Sequence, residues 1–285
     1  MWVSVDDEPP AKQGGGTAAS SAEHSNKTFK CQGTVLLECL DKNIVECVIP
    51  EGITEIGKNA FWCCKQLVRV SLPKTLTEIG EAAFDRCMVL YEISVPSGVK
   101  AIRRDTFLNC ASLEKVVLPS GLTEIGWHAF QGCKKLKNIS IPDTVTYIGG
   151  HAFAECESLS RIEVPRGVGE VKNSTFLYCT SLSEVKLQSG ITKIGDEAFE
   201  GCESLTEIVL PNTVTAIGGC AFYGCESLVN VVIPNSVTNI NTYSTFAGCR
   251  SIKAIRIPER FKPTVKKIFP REVFKLFGGA KITYT

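Results

Sequence analysis

Histidine, methionine and tryptophan are scarce in this 285-residue chain, with three, two and three copies. So few histidines leave little material for acid–base or metal chemistry. Charge of one sign is also missing. Thirty-one basic residues against 30 acidic leave +1, whereas a nucleic-acid binder carries a basic surplus. No apolar run approaches the ~20 residues of a membrane-spanning helix. There is no Ser/His/Asp order, glycine-rich phosphate loop or H-E-x-x-H, so nothing points to an enzyme or to a cofactor. The first ten residues lack the basic start and apolar stretch of a secretory signal. A cytoplasmic protein is therefore expected, or a cell-surface one if an export signal lies upstream. Fourteen cysteines fall below the roughly 8–10% of a disulfide scaffold.

What the chain does have is a repeat. Phenylalanine recurs at 61, 84, 107, 130, 153, 176, 199, 222 and 246, in steps of 23 residues and one of 24. Cysteine follows three places after each, from Cys64 to Cys249. Proline keeps the same period from Pro50 to Pro258, with Gln188 in the one gap. Each unit holds two short alternating runs, one ended by the proline and a second of the form Val-Thr-x-Ile-Gly. Both read as strands. Ala-Phe-x-x-Cys then turns the chain back, as a single helical turn. A unit this small cannot bury both runs alone, so successive coils must stack. Ten parallel strand runs between Ile44 and Pro258 give a solenoid about 45–50 Å long at ~4.8 Å per coil.

The motif Leu-x-x-Ile-x-Ile-Pro-x-x-Val-Thr-x-Ile-Gly-x-x-Ala-Phe-x-x-Cys resembles the BspA-type leucine-rich repeat over about three-quarters of the chain. The resemblance implies a β-rich α/β solenoid, a leucine-rich repeat superhelix of about ten 23-residue coils whose concave face is a long parallel sheet. It also implies a binding or adhesion protein.

The ends need sealing, since a solenoid otherwise exposes its core. Residues 1–28 read as a flexible tail, and 29–43 as a capping hairpin turning at Gln32-Gly33. The solenoid covers 44–258. A C-terminal cap at 259–285 holds two short amphipathic helices, 263–269 and 271–277, and a last strand at 281–285. The cap's basic surplus reads as a solvated face. In the units of Phe107, Phe176 and Phe246, Thr replaces the Ala before Phe, and Arg103, Lys172 and Asn241 replace the Gly after Ile. Either a three-unit block was duplicated without functional meaning, or the outer edge carries a site repeated every third coil.

The nine spaced cysteines are expected to tuck inward as free thiols, each donating to a neighbouring backbone carbonyl. Nine equivalent members have no natural disulfide pairing, which fits a reducing compartment. Cys31 and Cys39 could pair in an exported protein, and Cys63 and Cys220 are the more reactive positions. His128 and His151 share a slot in successive coils, about 5 Å apart. Asp105, Glu197 and Cys220 occupy that slot in other coils, without a close third ligand, so the pair reads as solvent-facing rather than as a metal site.

Binding is sought on the concave sheet, where the residues between the inward Leu and Ile positions face out. The candidates are Arg69, Glu92, Lys115, Asn138, Arg161, Glu184, Glu207 and Asn230 in one column. Glu163, Lys186, Val209, Val232 and Arg256 follow in the next. The alternating early charges are expected to pair with one another. Mixed polar and apolar groups on a rigid sheet suit a protein partner better than a small molecule. The expected function is a non-enzymatic, monomeric protein-binding module with an unidentified protein partner and no nucleic acid. A surface adhesin and a structural spacer are the alternatives.

Overall fold

The computed structural model describes residues 28–269 and 280–285. Each coil runs as a strand of three or four residues, a proline turn, a two-residue strand and a tight return. Arg69–Ser71 followed by Glu78–Ile79 is one such coil. The turn forms because the proline ends the first strand and its carbonyl accepts the amide three residues on, as from Leu76 to Pro73 at 3.1 Å. Strands of successive coils pair in parallel with a register of one repeat, as in Glu46↔Arg69↔Glu92↔Lys115. The expected solenoid is what the chain forms.

Two ladders of strands result. The broad sheet holds Glu46–Val48, Arg69–Ser71, Glu92–Ser94 and Lys115–Val117. After a gap come Arg161–Val164 with Glu184–Leu187, and then Glu207–Val209, Asn230–Val232 and Ala254–Ile257. The flanking ladder holds the two-residue strands. It is extended at the N-terminal end by an antiparallel hairpin, Phe29–Gln32 with Val35–Cys39, which turns through left-handed Gly33. At the other end Lys281–Tyr284 pairs in parallel with Ala254–Ile257 and adds one more broad-sheet strand. Before it come a 3-10 turn, Glu259–Phe261, and a short helix, Val265–Ile268, which starts two residues after Pro263. The second helix expected at 271–277, and the tail expected at 1–28 save for Thr28, lie outside the described residues.

The return segment is not the helical turn expected. It is a pair of tight turns, with left-handed backbone two residues before and two residues after every phenylalanine of the repeat. Gly132, Gly201, Gly224 and Gly248 fill four of the later positions. Side-chain-bearing residues such as His151 and Glu155 fill the others, at roughly 1–2 kcal/mol each. What offsets this strain is the stack inside. All nine repeat phenylalanines are fully buried. Their rings stack with centroids 5.0–5.7 Å apart and planes within 15° of parallel. Phe269 continues the column at 4.6 Å, and Phe29 closes the other end edge-on at 6.0 Å. Each contact of this kind adds about 0.5–1.5 kcal/mol beyond area burial.

The cysteines bind coil to coil as expected in all but the first, Cys64, whose thiol meets Cys39 instead. Eight thiols, from Cys87 to Cys249, donate to the carbonyl of the previous coil's phenylalanine at 3.1–3.3 Å. The same carbonyl accepts the amide of its own coil's cysteine, so Phe130 O takes both Cys133 N and Cys156 Sγ. Burial pushes the ladder thiols up, Cys179 and Cys249 to about 12. The pairing of Cys31 with Cys39 is not built. Cys31 is exposed and opposite Leu36, while Cys39 is buried, with its thiol on the Asp41 carbonyl at 3.3 Å. Cys39 instead meets Cys64, whose hydrogen bond lowers the Cys39 thiol.

The flanking ladder opens at two places, and the every-third-coil residues explain where. In most coils the Ile-Gly amide bonds to the coil before, as Gly149 N does to Ile125 O at 2.8 Å. A Cβ added at Gly149 would sit 2.5 Å from Trp127 N, so a side chain there makes the coils shift apart unless other bonds hold them. Threonine reinforces the close approach with amide and hydroxyl together, as Thr146 does on Thr123 O. Arg103 and Lys172 bring a Cβ to the glycine position, and Lys100 and Gly169 remove the threonine of the same coils. Between Glu78–Ile79 and Ala101–Ile102, and between Tyr147–Ile148 and Glu170–Val171, the ladder is then unpaired. Asn241 also replaces glycine, but Thr238 is kept, and Asn241 N still reaches Ile217 O at 2.9 Å.

Two outcomes follow for measurement. Lys172→Gly with Gly169→Thr should close the second opening. Two or three regained hydrogen bonds, less the Lys172–Glu170 ion pair at 2.7 Å, should raise stability by about 1–2 kcal/mol in a denaturant melt. A loss of stability would show that Cβ crowding is not the cause. In thiol labelling without denaturant, only Cys31, Cys63 and Cys220 should react readily, because burial holds Cys47 and the ladder thiols protonated. Rapid native labelling of ladder cysteines would contradict the packing described.

Candidate functional site

Period-two alternation places the candidate residues as expected. The inner positions Val70, Ile93, Ile162, Val185, Ile208, Val231 and Ile255 are buried, and the candidates between them point to solvent. Arg69, Lys115, Asn138, Arg161, Glu163, Glu184, Lys186, Glu207, Val209, Asn230, Val232 and Arg256 are exposed, and Glu92 is half-buried.

Their electrostatics divide the face in two. At the N-terminal end the charges satisfy one another. Arg69 sits between Glu46 at 3.1 Å and Glu92 at 3.3 Å, and these two carboxylates hold its guanidinium even more firmly protonated. Lys115 lies over the Tyr91 ring at 5.4 Å. Exposed pairs of this kind contribute about 0–1 kcal/mol, and they leave little free charge for a partner. Towards the middle the pattern changes. Glu163 pairs with Lys186 at 2.8 Å, and hydrogen bonds from Lys186 and Gln188 lower its carboxyl. Arg161 and Glu184, aligned on the same adjacent strands, form no ion pair among the described residues, and neither does Glu207. Val209 and Val232, side by side in register, are 73% and 48% exposed and form a small apolar step beyond them.

The same region carries a groove of about 600 Å³. Asn138, Arg161, Glu163, Glu184 and Lys186 line it, all of them candidates from the sequence. Ser140, Ile141, Pro142 and Asp143 line it too. Of this second set the repeat pattern marks only Ser140 as outward, and nothing in the pattern separates Ile141 to Asp143 from their equivalents in other coils. The groove lies where the broad sheet is interrupted. Residues 138–141 occupy a strand position but form no strand, and none of their main-chain N–H or C=O groups makes a backbone hydrogen bond among the described residues. The closest retained bond is Ser160 N to Lys137 O at 3.2 Å. The other candidates, Arg69, Glu92 and Lys115 on one side and Glu207 to Arg256 on the other, lie outside the groove.

On the outer edge His128 and His151 stand with ring centroids 5.1 Å apart. Asp105 is in the adjoining coil rather than a distant one, and its Oδ1 is 2.9 Å from His128 Nδ1. Burial and the neighbouring His128 lower His151. Among the described residues no three His, Cys, Asp or Glu side chains stand close enough to hold a metal ion. No described helix is long and apolar enough to cross a membrane.

Comparison with known proteins agrees with this architecture. The model of the BspA type leucine-rich repeat region matches residues 38–160, 100–212 and 192–274. No curated protein matches the chain. Among solved structures, the chain is similar to the leucine-rich repeat protein of T. pallidum, with 26% identity, 90% of this chain and 98% of that one covered, and a TM-score of 0.58. It is also similar to the pneumococcal vaccine antigen PcpA, at 23% identity over 74% of this chain and 62% of that one, with a TM-score of 0.50. A leucine-rich cell surface protein from Faecalibacterium prausnitzii matches at 28% identity, 73% and 70% coverage and a TM-score of 0.42.

Proposed function

The chain belongs to the BspA-type leucine-rich repeat family, and from that premise we propose that it is a non-enzymatic module that binds another protein through its broad sheet. The observation that carries this reading is the division of charge on that face. One end neutralises itself around Arg69, whereas Arg161, Glu184 and Glu207 have no ionic partner among the described residues and border exposed Val209 and Val232. A polar face with a small apolar step and rim charges suits a protein surface, which needs area and complementarity rather than an enclosed cavity. The groove is shallow and polar, unlike the deep apolar pockets that enclose small molecules. A spacer would have no reason to leave opposite charges unpaired on neighbouring strands.

The test is a crosslinking capture from native lysate with matched charge reversals. Arg161→Glu with Lys186→Glu on the broad sheet should remove the captured partner while leaving the unfolding free energy within about 1 kcal/mol of wild type. Raising salt should weaken wild-type capture. Arg103→Glu with Lys172→Glu is the control on the outer edge, where Arg103 and Lys172 pair with Glu78 and Glu170. Loss of the partner with the control pair alone would move the binding face to the outer edge and overturn this reading.

A further inference from the structure

Resting on that reading, we infer that the groove at the sheet interruption recognises an extended polypeptide segment carrying an acidic side chain and, two residues along, a basic one. Three independent features meet there. The first is the main chain. In the other nine coils the strand position carries a strand paired on at least one side, but the N–H and C=O groups of residues 138–141 are left without backbone partners on either side. Main-chain groups released from a ladder are free to take other partners, as those of a sheet edge do when they grip an incoming polypeptide. The second is charge. Arg161 borders this run and has no carboxylate within ion-pair distance among the described residues, while its own neighbour in register, Glu184, is likewise unpaired. A carboxylate placed over Arg161 would also come within reach of the outward Asn138 and Ser140 side chains, which line the same groove. Asp143, at the far rim of the groove, opposes a second anion there and so limits the acidic group to the Arg161 side.

The third feature is spacing. Adjacent strands lie about 4.8 Å apart, so a point midway between Glu184 and Glu207 is roughly 7 Å from Arg161 across the sheet. Same-face side chains of an extended segment repeat at about 6.6–6.8 Å. A segment crossing the strands therefore sets residue i over Arg161 and residue i+2 over the two glutamates. Side chains at i and i+1 point to opposite faces and cannot satisfy both. Glu163 is unavailable to such a ligand because Lys186 and Gln188 already occupy it.

The experiment uses two fluorescein-labelled nonapeptides of threonine and serine, each with one aspartate and one lysine. One has them two residues apart, the other adjacent. Binding to the full chain is followed by anisotropy at low salt. The spaced peptide should bind at least tenfold more tightly, the scale of one charge-assisted contact. Arg161→Glu and the milder Arg161→Gln, both at an exposed position, should each abolish that preference while the Phe-rich core melts as in wild type. Equal affinity for the two peptides, binding by neither, or a preference indifferent to Arg161 would overturn the inference. If charge reversal on the broad sheet still removes a captured protein while neither peptide binds, the broad-sheet function stands and this ligand class falls.

Discussion

The structure depends on a carbonyl that accepts twice. Eight of the nine repeat phenylalanine carbonyls, Phe61 to Phe222, receive the amide of the cysteine three residues on and the thiol of the cysteine in the next coil. The first bond closes the tight return within a coil, and the second ties that return to its neighbour. Neither requires a side chain larger than cysteine, so the phenylalanine rings alongside are free to stack. Hydrogen-bonded carbonyls and stacked rings together hold a turn whose flanking residues sit in left-handed backbone, a conformation costly for most of the side chains found there.

That arrangement separates the two duties of the coil. The return side is continuous, with the phenylalanine column unbroken from Phe29 to Phe269. The strand sides are not. The flanking ladder opens at Arg103 and Lys172, and the broad sheet opens at residues 138–141 and again between Glu184–Leu187 and Glu207–Val209. Because the turns carry the stacking, the sheets can lose pairs locally without the coils coming apart. The broad sheet is thereby released to vary its outward residues and, in one place, its backbone.

Much of this was legible in the sequence because a 23-residue period imposes the same environment repeatedly. Buried phenylalanine, the inward thiol and the outward columns all follow from position within the unit. Phe269 lies one further period beyond Phe246, and that step was the available signal for the stack continuing into the C-terminal cap. What the period hides is what differs between coils. The every-third-coil substitutions were visible, but their effect depends on backbone approach, where a Cβ at Gly149 would fall 2.5 Å from the coil before. The left-handed returns were missed because residues as unlike as Ala82, His128 and Glu197 occupy the same conformation. Asp105 differs in number from His128 by one period, so its place in the adjoining coil beside that histidine follows from the repeat alone. The groove had no signal of its own, since residues 137–142 match the repeat closely and the opening arises between coils.

The return ladder, not the sheets, holds the solenoid together, and native-state hydrogen exchange tests this most directly. The amides of Phe130, Phe153 and Cys156, each bonded within the return ladder, should exchange only through global unfolding, with protection matching the stability from denaturant melts. The amides of Asn138, Ile139, Ser140 and Ile141 should exchange orders of magnitude faster under the same conditions. Return-ladder amides that exchange as fast as those of residues 138–141, while the paired broad-sheet strands on either side remain protected, would contradict the account.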